Sequence, residues 1–286
     1  MCPLEEGNWS KRMFTCPPIT SCIAGPDPRD PATSAIPAGL DRNYAKALDP
    51  TSLKGARIGV ARNLFGGSAV ADRVANRAIE AIRGAGAVIV DNANIETAEA
   101  IWTFDSEVLS FEIKATLNAY LASLGPSSPV RSLTDLIEFD NRNVDREMEW
   151  FGQETFLYAQ SKGSIDSPEY AATLATVRKL ARDQGIDATL AKHNVEALVA
   201  PAQSPAWITD VLLGDNNNVA TYTTSAAAGY PSLTVPAGDV SGLPVGLLFM
   251  GAAWSEARLL GLAFAFEQLV QARRTPEFLA TIQVRP

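Results

Sequence analysis

The segment from Ala56 to Asp91 restricts the fold more than any other part of the chain. ARIGVAR, Ala56 to Arg62, reads as a short strand; LFGGSAVADRV turns into a helix; and AVIVD, Ala87 to Asp91, reads as a second short buried strand. Val70, Val74, Ala78 and Ile82 recur every four residues between the strands, and Gly84 and Gly86 supply the stop. A strand, a helix and a second strand joined in this way form a β-α-β unit with parallel strands. The predicted class is therefore α/β.

The remaining segments extend that frame. EALVAPA, Glu196 to Ala202, reads as a buried strand ending at Pro201. Pro231 to Pro236 and Val245 to Met250 read as two further buried strands, joined by a fixed Gly-Asp-Val-Ser-Gly-Leu-Pro loop. Ser255 is placed to cap a helix with Leu259, Leu262, Ala263, Phe266 and Leu269 on one face. Helical patterns run from Glu99 to Ser123 and from Val144 to Lys162, with Gly125-Pro126 and Pro129 between them; these read as mostly solvent-facing covers. Another helix runs from Pro168 to Gln184, breaks at Gly185 and resumes from Ile186 to His193. Ala24 to Pro37 reads as an extended connector, because its prolines oppose helix, and the first 22 residues carry neither a helical nor a strand period.

Charge and cysteine usage bound the partners. With 32 acidic against 24 basic residues in 286, a net charge of −8 opposes any sequence-independent hold on nucleic acid or anionic lipid. No apolar run is long enough to span a membrane, so a soluble, cytoplasmic protein is expected. Cys2, Cys16 and Cys22 form neither a disulfide framework nor a paired zinc motif, and neither metal nor cofactor is expected. His193 is the only histidine, and its place at a helix end ahead of a buried strand suits capping better than a Ser-His-Asp device. Gly66-Gly67-Ser68-Ala69 lacks the closing glycine of a nucleophile elbow and the Lys-Ser/Thr of a phosphate loop; Ser68 reads as a helix cap. No acidic pair is singled out as a glycosidase dyad.

PAQSPAWITDVLLGD, Pro201 to Asp215, follows the end of a buried strand, where open α/β sheets present ligands. Together with the connector Ala24 to Pro37, the strand Glu196 to Ala202 and the stretch AAGYPSLTVPAGDVSGLPVGLLFMGAAWSEARLLG, Ala227 to Gly261, it resembles the amidase signature family, most closely the peptide amidases. The resemblance implies a mixed central sheet covered by helices, incomplete at the N-terminal side. It divides the chain into an irregular leader, residues 1–23, and the C-terminal portion of an amidase-signature domain, residues 24–286.

The resemblance also implies hydrolysis of a carboxylic amide or a peptide C-terminal amide by a Ser, a cis Ser and a Lys, all carried on an N-terminal half outside the matching segments. No residue of this chain is assigned a catalytic role, and the isolated chain is expected to be inactive. Gln203, Trp207, Asp210, Thr224 and Ser225 are the expected substrate-binding residues, Thr221 and Thr223 lying in the same polar stretch. The expected partners are a small amide or peptide amide when the chain is complemented, a second copy, or an N-terminal half. The competing reading is a non-catalytic truncated homologue that retains ligand or partner binding.

Overall fold

The computed structural model describes residues 16–217, 220–275, 278 and 281. In chain order the elements are α1 (Cys16–Ile23), β1 (Arg57–Val60), α2 (Ala69–Gly84), β2 (Val88–Val90), α3 (Ala98–Ser123), α4 (Leu133–Arg142), α5 (Val144–Glu147), α6 (Glu154–Ser161), α7 (Pro168–Ala181), α8 (Asp187–His193), β3 (Ala197–Pro201), α9 (Thr223–Ala228), β4 (Ser232–Val240), β5 (Leu243–Met250) and α10 (Glu256–Val270). The five strands form one mixed sheet in the order β2-β1-β3-β5-β4. β1 lies between β2 and β3 and is parallel to both, with Ile58 opposite Ile89 on one side and Ala197 on the other. β5 runs antiparallel to β3 and β4.

Alternation along the strands builds the core. Ile58 and Val60, Ala197 and Val199, and Leu247 and Phe249 turn to one face, where α2 supplies Ala75, Ala78, Ile79 and Ile82 and α10 supplies Leu259, Leu262 and Phe266. The rings of Phe249 and Phe266 meet at 5.7 Å in a tilted pair, a geometry that adds to area burial. Every residue of β3 is buried, as expected of a central strand covered on both faces. The β-α-β unit stands as its sequence reads, and Ser68 caps α2 by accepting from the Ala71 amide. The second strand departs from expectation: β2 is an edge strand, and Val88 is 44% exposed.

Chain turns account for most of the other departures. β4 and β5 continue through the stretch expected to be a loop, down to Val240 opposite Leu243, with a register shift between Pro236 and Gly238. Ser241 and Gly242 make the turn, with φ of 52° and 84°; two positive φ values in a two-residue hairpin loop match the right-handed twist of the strands. Ser255 stands at the N-cap of α10, but its hydroxyl donates to Ala252 O instead of accepting from the helix. Leu269 is 46% exposed, and it is Val270, one turn beyond Phe266, that packs against the core at the end of α10.

The expected connector contains a 3₁₀ turn, Pro31–Ala35, capped by Asp30; its proline sits at the first helical position, where no N–H is needed. Cys16–Ile23 is likewise helical, and Ser21 Oγ accepts from the Tyr44 amide. The expected helix Val144 to Lys162 is divided, because Met148 leaves helical geometry at φ −124°, ψ 30° and Gly152 follows. α4 lies in the stretch expected to connect helices. Ser132 Oγ accepts from the Asp135 amide, and Asp135 Oδ2 accepts from the Arg131 amide. The expected break at Gly185 is present: its φ of −101° and ψ of −105° are not helical, and an added side chain would meet Leu180 O.

Candidate functional site

The described residues fall into two compact units, one drawn from residues 16–94, 189–206 and 220 onward, the other from Ile95–Ala188 and Trp207–Asn217. Gln203, Thr224 and Ser225 belong to the first, Trp207 and Asp210 to the second.

In the first unit the C-terminal end of β3 is tied to the chain entering α9. Ala202 donates to Gly246 O, and Gln203 pairs with Ala220 in an isolated antiparallel bridge. Thr221 is buried, and its hydroxyl donates to Pro201 O at 2.5 Å and approaches Ala202 O at 3.3 Å. Thr223 Oγ1 donates to Ala220 O, and Ser225 Oγ, fully buried, donates to Tyr222 O at 2.8 Å. Thr224 is 3% exposed. A hydroxyl already donating to a carbonyl is held in place and retains only its acceptor capacity. Ser204, which sequence reasoning does not single out, differs from these neighbours. Its Oγ is buried with no hydrogen-bond partner. The available signal is a hydroxyl residue just past a strand's C-terminal end.

In the second unit the Trp207 loop is braced by its own polar groups. Trp207 is half-buried, and its Nε1–H donates to Asp215 Oδ1 at 2.9 Å. Asp210 Oδ1 accepts from the amides of Leu213 at 2.9 Å and Leu212 at 3.0 Å, and these bonds hold its carboxyl below the usual carboxylate range. Gly214 N closes on Asp210 O. Asp210 is therefore an anionic bracket for the loop and a poor proton donor or acceptor near neutrality. The loop leaves Ile208, Leu212 and Leu213 85%, 86% and 89% exposed.

The same unit contains a polar cluster that sequence reasoning misses, because its members come from two separated helical segments. Lys162 Nζ lies 2.5 Å from Glu107 Oε2 and 3.9 Å from the centre of the Tyr158 ring, and Tyr158 OH also donates to Glu107. The Glu107 bond pushes the Lys162 ammonium upward and the Glu107 carboxyl downward, so Lys162 stays a cation and cannot act as a neutral-amine base. Lys114 Nζ donates to the carbonyls of Gln160 and Lys162, closing the end of α6.

The other residues weighed for chemistry have structural roles. His193 ends α8, and its carbonyl accepts from Arg57 Nη2. Gly66 N donates to Asp72 Oδ2 ahead of the Ser68 cap. Cys22 is exposed and forms no disulfide, and Cys2 lies outside the described residues. Among the described residues, no group of three or more His, Cys, Asp and Glu is disposed to hold a metal ion, and no helix is long and apolar enough to cross a membrane.

The Amidase family profile matches residues 6–260. A probable amidase of Arabidopsis thaliana is 34% identical over 273 residues, covering 92% of this chain and 48% of its own. The native peptide amidase from Stenotrophomonas maltophilia superposes with a TM-score of 0.80 at 39% identity, covering 90% of this chain and 52% of its own. An amidase family protein from Bacillus anthracis str. Ames superposes with a TM-score of 0.72 at 28% identity, covering 92% of this chain and 47% of its own. The chain thus spans about half the length of the relatives it matches. A profile match across most of the sequence, with the same mixed sheet and helices found in a peptide amidase at 39% identity, leads to one conclusion: this chain belongs to the amidase family.

Proposed function

We propose that residues 24–286 are the C-terminal portion of an amidase-signature hydrolase that cleaves the C–N bond of a carboxylic amide or a peptide C-terminal amide. The observation that carries this reading is the 39% identity to a peptide amidase across 90% of the chain. Gln203, Trp207, Asp210, Thr224 and Ser225 serve substrate binding in this reading. Their geometry supports positioning over chemistry: the Ser225 hydroxyl is bonded to a carbonyl and the Asp210 carboxylate to two amides, so neither is prepared to attack or to take a proton.

Hydrolysis needs a nucleophile, a neutral base and an oxyanion site together, and losing members of such a unit costs many orders of magnitude in rate. Lys162, held protonated by Glu107, does not supply the base. We therefore assign the catalytic serines and lysine to the other half of the full-length relatives' architecture. The chain alone is inactive in this reading and works when paired with such a half. The decisive assay is ammonia release from small amides and peptide amides by the purified chain, alone and mixed with an N-terminal half of a peptide amidase. Release only from the mixture is expected. Release by the chain alone that is lost on Ser68→Ala or His193→Ala would overturn the assignment. Residence in the cytoplasm belongs to the same proposal and is checked by cell fractionation.

A further inference from the structure

We propose that the cleft between the turn at residues 50–55, the end of α2 and the last turn of α10 binds a small aliphatic monocarboxylate, with Lys54 holding its charge. The cleft has a volume of about 350 Å³, and every residue lining it belongs to the first unit. Small-molecule sites of about this size combine apolar walls with a few polar groups. Leu53 and Ala265, each 2% exposed, lie at its base; Ala85 and Leu269 add apolar surface; Lys54 and Gln268 supply the polar groups. The period of α10 assigns Leu269 to the core, yet it lines this open space at 46% exposure.

Backbone hydrogen bonds fix the walls before any ligand arrives. Lys54 N donates to Thr51 O at 2.9 Å, Gly55 N to Gly86 O at 2.9 Å and Ala56 N to Leu53 O at 3.2 Å. The stem of Lys54 runs beside Gly86, where an added β-carbon would lie 3.7 Å from Lys54 Cγ. Among the described residues the Lys54 ammonium forms no ion pair, and the structural uses open to it are taken by other groups. Asp49 accepts from the Thr51 amide at 2.8 Å and the Thr51 hydroxyl at 2.7 Å. The end of α10 is closed by Gln271, whose amide donates to Glu267 O and whose Nε2 reaches Gln268 O at 3.5 Å, so Lys54 is not its cap. One ammonium over an apolar base matches a single negative charge on an apolar body. A phosphate, with more charge and more acceptor oxygens, calls for several cations or converging amides.

Hexanoate is the test ligand. In an NMR titration of the chain's backbone amides it should give saturable, millimolar binding, with shifts at Lys54, Gly55, Gly86 and Leu269. Hexanamide, its neutral isostere, should bind about tenfold more weakly, and so should hexanoate to Lys54→Met, which keeps the apolar stem and removes the charge. Leu269→Ser should weaken hexanoate and hexanamide alike by about threefold, the loss of apolar contact without loss of charge. Both side chains are exposed, so both variants should melt as the parent does. Hexanoate shifts that do not saturate, or that lie only at other residues, overturn the inference. Equal affinity of the parent for hexanoate and hexanamide overturns it without recourse to any variant, and unchanged hexanoate affinity in Lys54→Met overturns it as well. Displacement of hexanoate by an equal concentration of inorganic phosphate overturns the assignment to a monocarboxylate.

Discussion

Tyr170 carries a large titration shift with its structural cause at hand. Its hydroxyl donates to Glu112 Oε1 at 2.7 Å while its ring leans on Phe111, and burial, with the Glu112 bond and charge behind it, pushes the phenol up to about 12. The folded value lies above the ordinary 10.0, so the stabilisation is fully present below pH 10 and is lost as pH rises through about 12. Tyr170→Phe should flatten the alkaline fall in stability, cost about 1 kcal/mol near neutrality, and remove one late-titrating phenolate from the ultraviolet absorbance. Glu196 gives the acid counterpart. Burial raises its carboxyl, but the Arg258 bond and charge and the Arg57 amide outweigh burial and leave it below the ordinary carboxylate value. Its contribution is present above that ordinary value and lost as pH falls through the lowered one. Thermal melts of Glu196→Gln should therefore show a shallower decline toward acid than the parent chain. Neither partnership is legible in the sequence, because Glu112 and Tyr170, or Glu196 and Arg258, are brought together by helices and strands far apart in the chain.

Elements with a regular period are the legible part of the fold. The four-residue recurrence through Val74, Ala78 and Ile82 locates α2 because one burial face repeats along it, and the continuous apolar runs of Ala197 to Val199 and Val245 to Met250 locate β3 and β5 because central strands are buried on both faces. α4 escapes such a reading although its signal is present: Ser132 caps the Asp135 amide and Asp135 the Arg131 amide, a pattern that the prolines upstream obscure. The hairpin is longer than its sequence suggests, since its turn is two residues, Ser241 and Gly242, and the Gly-Asp-Val stretch stays paired. That turn asks for positive φ at both positions, which Asn accepts more readily than Ser. Ser241→Asn should raise stability by a few tenths of a kcal/mol to about 1, measured by urea denaturation. Gly242→Val, a β-branched residue forced to φ 84°, should lower it by about 1–3 kcal/mol. The Trp207 loop is legible only as a candidate. Its brace of Asp210 and Asp215 is local polar bonding, which has no period to read.

For the molecule as a whole, the Trp207 loop uses ordered hydrogen bonds to hold Ile208, Leu212 and Leu213 in water. Apolar side chains presented in this way promote association. Replacing Leu212 and Leu213 together by Ser should shift sedimentation profiles toward monomer while changing unfolding free energy by no more than about 0.5 kcal/mol. Unchanged sedimentation would mean that contacts between copies, if they form, lie elsewhere. The strand order carries a further consequence for the chain as it leaves the ribosome. β2, β1 and β3 are complete by Pro201, yet the edge of β3 is closed by β5, whose last residue is Met250, and the face those strands share is capped by α10, which follows. Every nascent chain therefore passes through an interval in which a fully apolar strand waits with one side unpaired, the condition under which chaperones are recruited and premature termination is most damaging. A stop codon between Pro201 and Met250 should accordingly yield insoluble product, whereas one placed just after Val270 should not.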